Sequence, residues 1–254
     1  MPARTIARPQ PAAAGTRKRP ASRGGPRPAS GAEAAAEPLV AYAAHELRGL
    51  ITLQRTLAEV ALADPRADVA SLRAMGERVA AACERQERLL EALLSLARSE
   101  AGCEHRRPVD LASLVAAALR DHDCEGRDVG AALAPARISG DPVLLERLVA
   151  NLLENAVRHN EPSGRVEIGT RTAAGKRAVL TVANSGPAVP SGELERIFEP
   201  FRRLTALGAS GGEHGLGLGL AIVAAIARAH GAAIEARARR RGGLRIEVSF
   251  PALD

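Results

Sequence analysis

The chain has 254 residues and a formal charge of +6 from 35 basic and 29 acidic side chains, a length that accommodates one or two domains with a real core. With no tryptophan, one tyrosine and three phenylalanines, that core is expected to be aliphatic. Cys83, Cys103 and Cys124 are odd in number and form no C-x-x-C, which argues against a disulfide framework or a zinc site and for reduced thiols in the cytoplasm. No apolar run approaches the ~20 residues of a membrane-spanning helix, and no signal-peptide core is visible, so a soluble protein is expected.

Residues 1–38 are rich in Pro, Ala, Gly and Arg, have almost no large apolar side chain, and are expected to be a disordered tail. Seven basic residues there against Glu33 and Glu37 leave +5 of the chain's +6, so the folded part is nearly neutral. The simplest reading is a solvated tail; contact with nucleic acid or an anionic membrane, or a transit peptide, are the alternatives, and nucleic acid is disfavoured because the segment lacks aromatics and a fold.

From Leu39 the pattern turns helical. Val40, Ala43, Leu47, Leu50, Leu57 and Ala61 sit near heptad spacing up to Asp64-Pro65, and Val69, Leu72, Val79, Ala82, Leu89, Leu93 and Leu96 continue it to about Gly102. Two helices joined by a turn form an antiparallel hairpin. A hairpin alone buries too little, so a homodimer with a four-helix bundle is expected. His45 stands two residues from both Ala43 and Leu47, roughly 200° around the helix, and so points away from the seam.

After Pro108 the patterns give a short strand to Asp110, a helix from Leu111 to about Arg120, a hairpin around Val129–Ile138, a helix from Asp141, strands near 165–171 and 177–183, a short helix near 193–198, a loop, a helix over Leu216–His230, and strands near 233–238 and 244–249. This mixture implies an α/β sandwich, a sheet with helices on one face. Asp141-Pro142 reads as an N-cap with proline at the first helical position. Apolar residues at 144, 145, 148, 149, 152, 153 and 156 form one face of that helix; Asn151, Asn155 and Arg158 form an adjacent stripe. Two amides and a guanidinium beside a buried face mark a site, because Asn is a mediocre helix former whose amide needs partners. Glycines at Asn184-Ser-Gly186, after a strand, and at Gly215-Leu-Gly217-Leu-Gly219, before a helix, let backbone N–H groups approach a phosphate.

NLLENAVRHN, VANSGPAVP, FEPFRRL and GLGLGLAIV, in that order, resemble the asparagine, first glycine, phenylalanine and second glycine boxes of the ATP-binding domain of sensor histidine kinases, within the superfamily that includes gyrase-type ATPases. HELRGLIT, beginning at His45, resembles the family's phosphoacceptor box, commonly written HELRTPLT, and the hairpin looks like its dimerisation domain. The resemblance runs from about Leu39 to Pro251. It implies an α+β protein laid out as tail (1–38), dimerising phosphotransfer hairpin (39–102) and ATP-binding sandwich (103–254).

By this resemblance His45 is the phosphoacceptor, Glu46 accepts its ring proton, and Arg48, on the same face, steadies the phosphoryl group. Asn155 would hold Mg²⁺ through its amide oxygen. Asn151 stands where hydrolytic relatives carry a glutamate, and an amide cannot activate water. Arg158 would meet phosphate oxygens, His159 would lie near the nucleotide, and Asn184, Gly186, Gly215, Gly217 and Gly219 would complete the ATP site. The loop Arg202–His214 would be a mobile lid, with Phe198 and Phe201 as packing that anchors it. Asn184 replaces the usual aspartate, Ala188 a second glycine and Leu50 the usual proline, so weaker ATP binding and an unforced helix kink are expected.

The function implied is a soluble, cytoplasmic, homodimeric histidine kinase that autophosphorylates from Mg-ATP and passes the phosphoryl group to a response-regulator receiver domain. The alternative is a catalytically impaired, kinase-like interaction protein; a plain gyrase-type ATPase is disfavoured by Asn151 and by the hairpin. Gly49, four residues beyond His45, cannot orient a water as the usual Thr or Asn does, so weak phosphatase activity is expected. Thr52 lies about 10 Å of helix rise away.

Overall fold

The structure, a computed structural model, describes residues 31–101, 103, 105–121, 128–202 and 216–253. Most of the expected tail, His122, Cys124, His214, Gly215 and nearly all of the expected lid lie outside the described residues. The chain divides into two compact units, Met1–Ala41 and Tyr42–Asp254. Helix α1 spans Gly31–Ala63, and so takes in residues 31–38 that composition assigned to the disordered tail. Ala32, Ala34, Ala35 and Ala36 supply the strongest helix formers there.

Within the second unit, α1 ends before Asp64-Pro65 and α2 follows over Val69–Ala101. Asp68 caps the turn: its carboxylate accepts from the Ser71 N–H at 2.8 Å while the Ser71 hydroxyl faces the Asp68 backbone. Across the hairpin Gln54 and Gln86 pair their amides at 3.4–3.5 Å. Ala43, Leu50, Ala82, Leu89, Ala92 and Leu96 are buried, whereas Ile51, Leu53, Val60, Leu62, Leu72, Leu90 and Leu94 are exposed. Much apolar surface of the hairpin therefore faces solvent in a single chain.

The sandwich begins with β1 (Arg107–Asp110) and α3 (Leu111–Asp121), followed by β2 (Asp128–Leu133), β3 (Arg137–Gly140) and α4 (Pro142–Arg158). Next come β4 (Arg165–Ala173), β5 (Arg177–Asn184), α5 (Gly219–Ala229), β6 (Ala233–Ala238) and β7 (Leu244–Pro251). The five-stranded sheet runs β2-β4-β5-β7-β6, antiparallel except for the β2–β4 pair, and β1 and β3 form a separate antiparallel pair. Strand β7 alternates cleanly: Leu244, Ile246, Val248 and Phe250 are buried, Arg245 and Pro251 exposed. Leu145, Leu148, Leu152 and Leu153 of α4 and Ile222 and Ile226 of α5 are fully buried with them. Each such side chain contributes about 1.5–3 kcal/mol of transfer free energy. As the composition required, the core is aliphatic, with Phe250 its one large aromatic side chain among the described residues.

Three expectations are corrected. The stretch Val129–Ile138 is not a hairpin: β2 pairs with β4 and β3 with β1, because the chain keeps following β4 after β2, Ala134 N–H bonding the Thr170 carbonyl, and Ala136 then bonds the Asp110 carboxylate at 2.9 Å. The short helix near 193–198 is two 3-10 turns, Ser191–Glu193 and Arg196–Phe198. The helix expected from Leu216 begins at Gly219, since Gly217 at φ 68° cannot lie within a right-handed helix. No helix among the described residues is long and apolar enough to cross a membrane.

Candidate functional site

Helix α4 is the element on which the motifs converge. Asp141 is its N-cap, accepting from Val143 and Leu144 N–H at 2.9 and 3.4 Å, and its seven buried apolar residues fix its rotation. That rotation leaves Asn151 and Asn155 half-buried at the rim. The Asn151 amide nitrogen donates to the Arg147 carbonyl at 2.7 Å. Asn155 makes no side-chain hydrogen bond to any described residue, so its amide oxygen is open to a ligand. Arg158 pairs with Glu154 one turn back and is exposed.

The first glycine box is seated on the C-terminal end of α4. The buried Asn184 donates from its amide to the carbonyls of His159 and Ser185 at 3.0 and 2.6 Å, donation an aspartate carboxylate could not provide. His159 caps α4, its N–H bonding the Asn155 carbonyl at 3.1 Å. Gly186, at φ 151°, lies so close to the His159 carbonyl that a Cβ there would overlap it. The second box meets α4 from the other side: a Cβ on Gly219 would come within 3.2 Å of the Asn151 amide oxygen. Both glycine boxes thus flank the asparagine stripe, and Gly219 at the start of α5 points helix N–H groups into the same region. The site reading places Gly215 here too, but it lies outside the described residues.

On α1, His45 and Arg48 are exposed and Glu46 is half-buried. Arg85 of α2 approaches the Glu46 carboxylate at 3.9 Å, a partner that sequence reasoning missed because it comes from the facing helix. Leu50 is buried, as a seam position requires. At Gly49 an added Cβ would meet nothing within 4 Å, and the Thr52 hydroxyl is spent on the Arg48 carbonyl at 2.8 Å.

The hairpin and the sandwich meet through α2, which packs on α5. Glu91 pairs with Arg147 of α4 at 2.8 Å. Tyr42 stacks on Phe201 with ring centroids 3.6 Å apart. Phe201 is held at φ 62°, a conformation that costs a non-glycine residue about 1–3 kcal/mol. The buried His230 ties three segments. Its Nε2 accepts from the Asp141 N–H at 3.0 Å, its Nδ1–H donates to the Ile226 carbonyl at 2.8 Å, and Cys103 lies 3.4–3.5 Å from both ring nitrogens. Desolvation by burial, with Arg106 nearby, lowers the pKa of this ring. In the sequence His230 stands just after an apolar helix, the one signal available for its role.

Residues 140–254 match the family described as histidine kinase-, DNA gyrase B- and HSP90-like ATPase. Sensor protein CutS of Streptomyces coelicolor is 44% identical over 217 residues, covering 84% of this chain and 52% of its own length. The chain belongs to the sensor histidine kinase family. The histidine-protein kinase/phosphatase MprB of Mycobacterium ulcerans is 33% identical over 220 residues, covering 84% of this chain and 40% of that protein. The Acinetobacter baumannii histidine kinase AdeS superposes with a TM-score of 0.63 at 19% identity, over 83% of this chain and 98% of that one, and shows the shared fold of hairpin and sandwich. The chain spans about half the length of the curated relatives it matches.

Proposed function

We propose that the chain is an ATP-dependent protein histidine kinase that phosphorylates His45 and hands the phosphoryl group to an aspartate of a response-regulator receiver domain. The observation that carries this reading is the convergence on α4: the open amide of Asn155, the Asn151 amide and both glycine boxes surround one region, while an exposed histidine stands on a helix of the same unit with a carboxylate beside it. The donor set suits magnesium. No group of three or more His, Cys, Asp or Glu side chains among the described residues could hold a metal, whereas a hard ion that keeps waters and bridges phosphates needs only one or two protein oxygens, here Asn155. Mg-ATP supplies the phosphoryl group and the electrophilic phosphorus.

The His45 imidazole attacks, its new N–P bond replacing the P–O bond to ADP, and Glu46 takes the ring proton. Arg85 holds that carboxylate, and Arg48 is free to meet the phosphoryl oxygens. Gly186, Gly217 and Gly219 admit the phosphates to backbone N–H groups. Asn184, whose amide nitrogen is occupied by two carbonyls, presents its oxygen as the acceptor for the base. Asn151 cannot deprotonate water, so the phosphoryl group is directed to His45.

The layout is a phosphotransfer hairpin (39–102) followed by an ATP-binding sandwich (103–254), the hairpin pairing with a second copy to cover Ile51, Val60, Leu62, Leu90 and Leu94. Its chemistry belongs in the cytoplasm, where ATP is supplied. Gly49 makes the chain a weak phosphatase toward its regulator. Incubation with γ-labelled ATP tests the reading: acid-labile, base-stable label supports a phosphohistidine, and acid-stable label or none rejects it.

A further inference from the structure

We propose that Tyr42 and Phe201 form a latch through which the glycine loop at Gly217 acts on the helical turn that carries His45; the proposal rests on the reading of that loop as part of the nucleotide site. Four contacts define it. The Tyr42 and Phe201 rings lie 3.6 Å apart between centroids and 30° from parallel, closer than the usual spacing of aromatic pairs, about 4.5–7 Å. The Phe201 N–H donates to the Gly217 carbonyl at 2.9 Å. Gly217, itself at φ 68°, is packed so tightly on Phe201 that a Cβ there would come within 2.9 Å of the Phe201 carbonyl carbon. Arg202, the next residue, is clamped by Glu193 through contacts of 2.7 and 3.0 Å.

Phe201 sits at φ 62°, and a non-glycine residue stays in that region only where its surroundings over-determine it. Here the surroundings are the Glu193–Arg202 clamp, the Gly217 carbonyl and the Tyr42 ring. The clamp grips the Arg202 side chain rather than the glycine loop, although the Arg202 carbonyl packs against Gly217 of that loop. The Gly217 carbonyl is part of it, so a phosphate that reorients the Gly217 peptide to reach its N–H groups removes one of the three supports. Phe201 then relaxes toward negative φ and its ring leaves Tyr42. Tyr42 stands three residues before His45, nearly one turn along the same helix, so release of the ring removes one contact of the turn that presents the imidazole. This is a two-state element biased by a ligand at one site and read at the other.

The chain has one tyrosine and no tryptophan, so tyrosine emission reports on Tyr42 alone. The experiment titrates the whole chain with a non-hydrolysable ATP analogue and Mg²⁺, following emission and, separately, the heat of binding, with Tyr42→Phe as the optical blank. Phe201→Leu is expected to change the emission of the nucleotide-free protein and, because no latch then has to open, to bind the analogue at least as tightly as the parent by calorimetry. In the parent the analogue is expected to move emission toward the Phe201→Leu value, saturating at the calorimetric midpoint. Unchanged emission in Phe201→Leu, or heat of binding in the parent without an emission change toward that value, overturns the latch. Absence of any heat of binding overturns the nucleotide reading as well, which separates the two failures.

Discussion

His45 and His230 are the same side chain in opposite surroundings. His45 is exposed on α1, with the half-buried Glu46 carboxylate next to it in sequence and the exposed Arg48 three residues on. His230 is 3% exposed, with both ring nitrogens committed, Nε2 to the Asp141 N–H and Nδ1 to the Ile226 carbonyl. A histidine whose nitrogens are both bonded in the core cannot act as a nucleophile without dismantling its site, whereas one left open on a helix can. The difference fits architecture at one and the proposed chemistry at the other: His230 locks the N-cap of α4, and α4 carries the asparagines proposed to serve His45.

The comparison can be broken at the far end first. Asn155→Ala is expected to lower Mg-dependent labelling of His45 by about 100-fold with the melting temperature unchanged, because the amide bonds no described residue. Labelling with parental rate and Mg²⁺ dependence would remove Asn155 from the site.

His230→Ala addresses the architectural half. It orphans the Asp141 N–H, removes the ring's bond to the Ile226 carbonyl, which keeps the backbone N–H of residue 230, and leaves a cavity against Phe250, whose ring lies edge-on 6.2 Å away. Chemical unfolding is expected to show a loss of about 2–4 kcal/mol. A loss below about 0.5 kcal/mol would mean that the junction contributes no more than a surface residue.

A smaller effect sharpens the same contrast. The pKa of His230 is lowered by desolvation, with Arg106 adding to the depression and Ile226 and Asp141 opposing it. Its contribution to stability is therefore complete above the unfolded value of about 6.5 and is lost as pH falls through the lower folded value. Cys103, the other group on the ring, has its thiol pKa raised and stays neutral in this window. Melts from pH 7.5 to 5 are expected to fall in the parent and to fall less in His230→Ala; equal slopes would place the titration elsewhere.

Gly49→Thr is the mildest change to the fold. An added Cβ meets open space, and replacing glycine within a helix shifts stability by roughly a few tenths of a kcal/mol, favourably. Dephosphorylation of the regulator is expected to be slow with the parent and faster with the variant. Fast dephosphorylation by the parent would show that another group orients the water.

What could be read from the sequence was local. Asp64-Pro65 marked the hairpin turn, Asp141-Pro142 the start of α4, and the apolar spacing its buried face, because each signal lies within a few residues of its effect. The glycine boxes were legible for the same reason, although that Gly186 must clear the His159 carbonyl emerged only from the fold. Pairing across long loops was not legible: β2 and β3 carry adjacent strand patterns, yet β4 captures one and β1 the other. The partners of Glu46 and Phe201, Arg85 and Tyr42, come from other elements, and no spacing rule along the chain announces them.

The central claim is that His45 receives the phosphoryl group. His45→Gln incubated with Mg-ATP labelled at the γ-phosphate tests it directly, with calorimetric nucleotide affinity and melting temperature measured on the same sample. Because the side chain is exposed and outside the packed seam, we expect both to match the parent while label disappears entirely. Label at the parental level on a folded, nucleotide-binding His45→Gln protein would contradict the account.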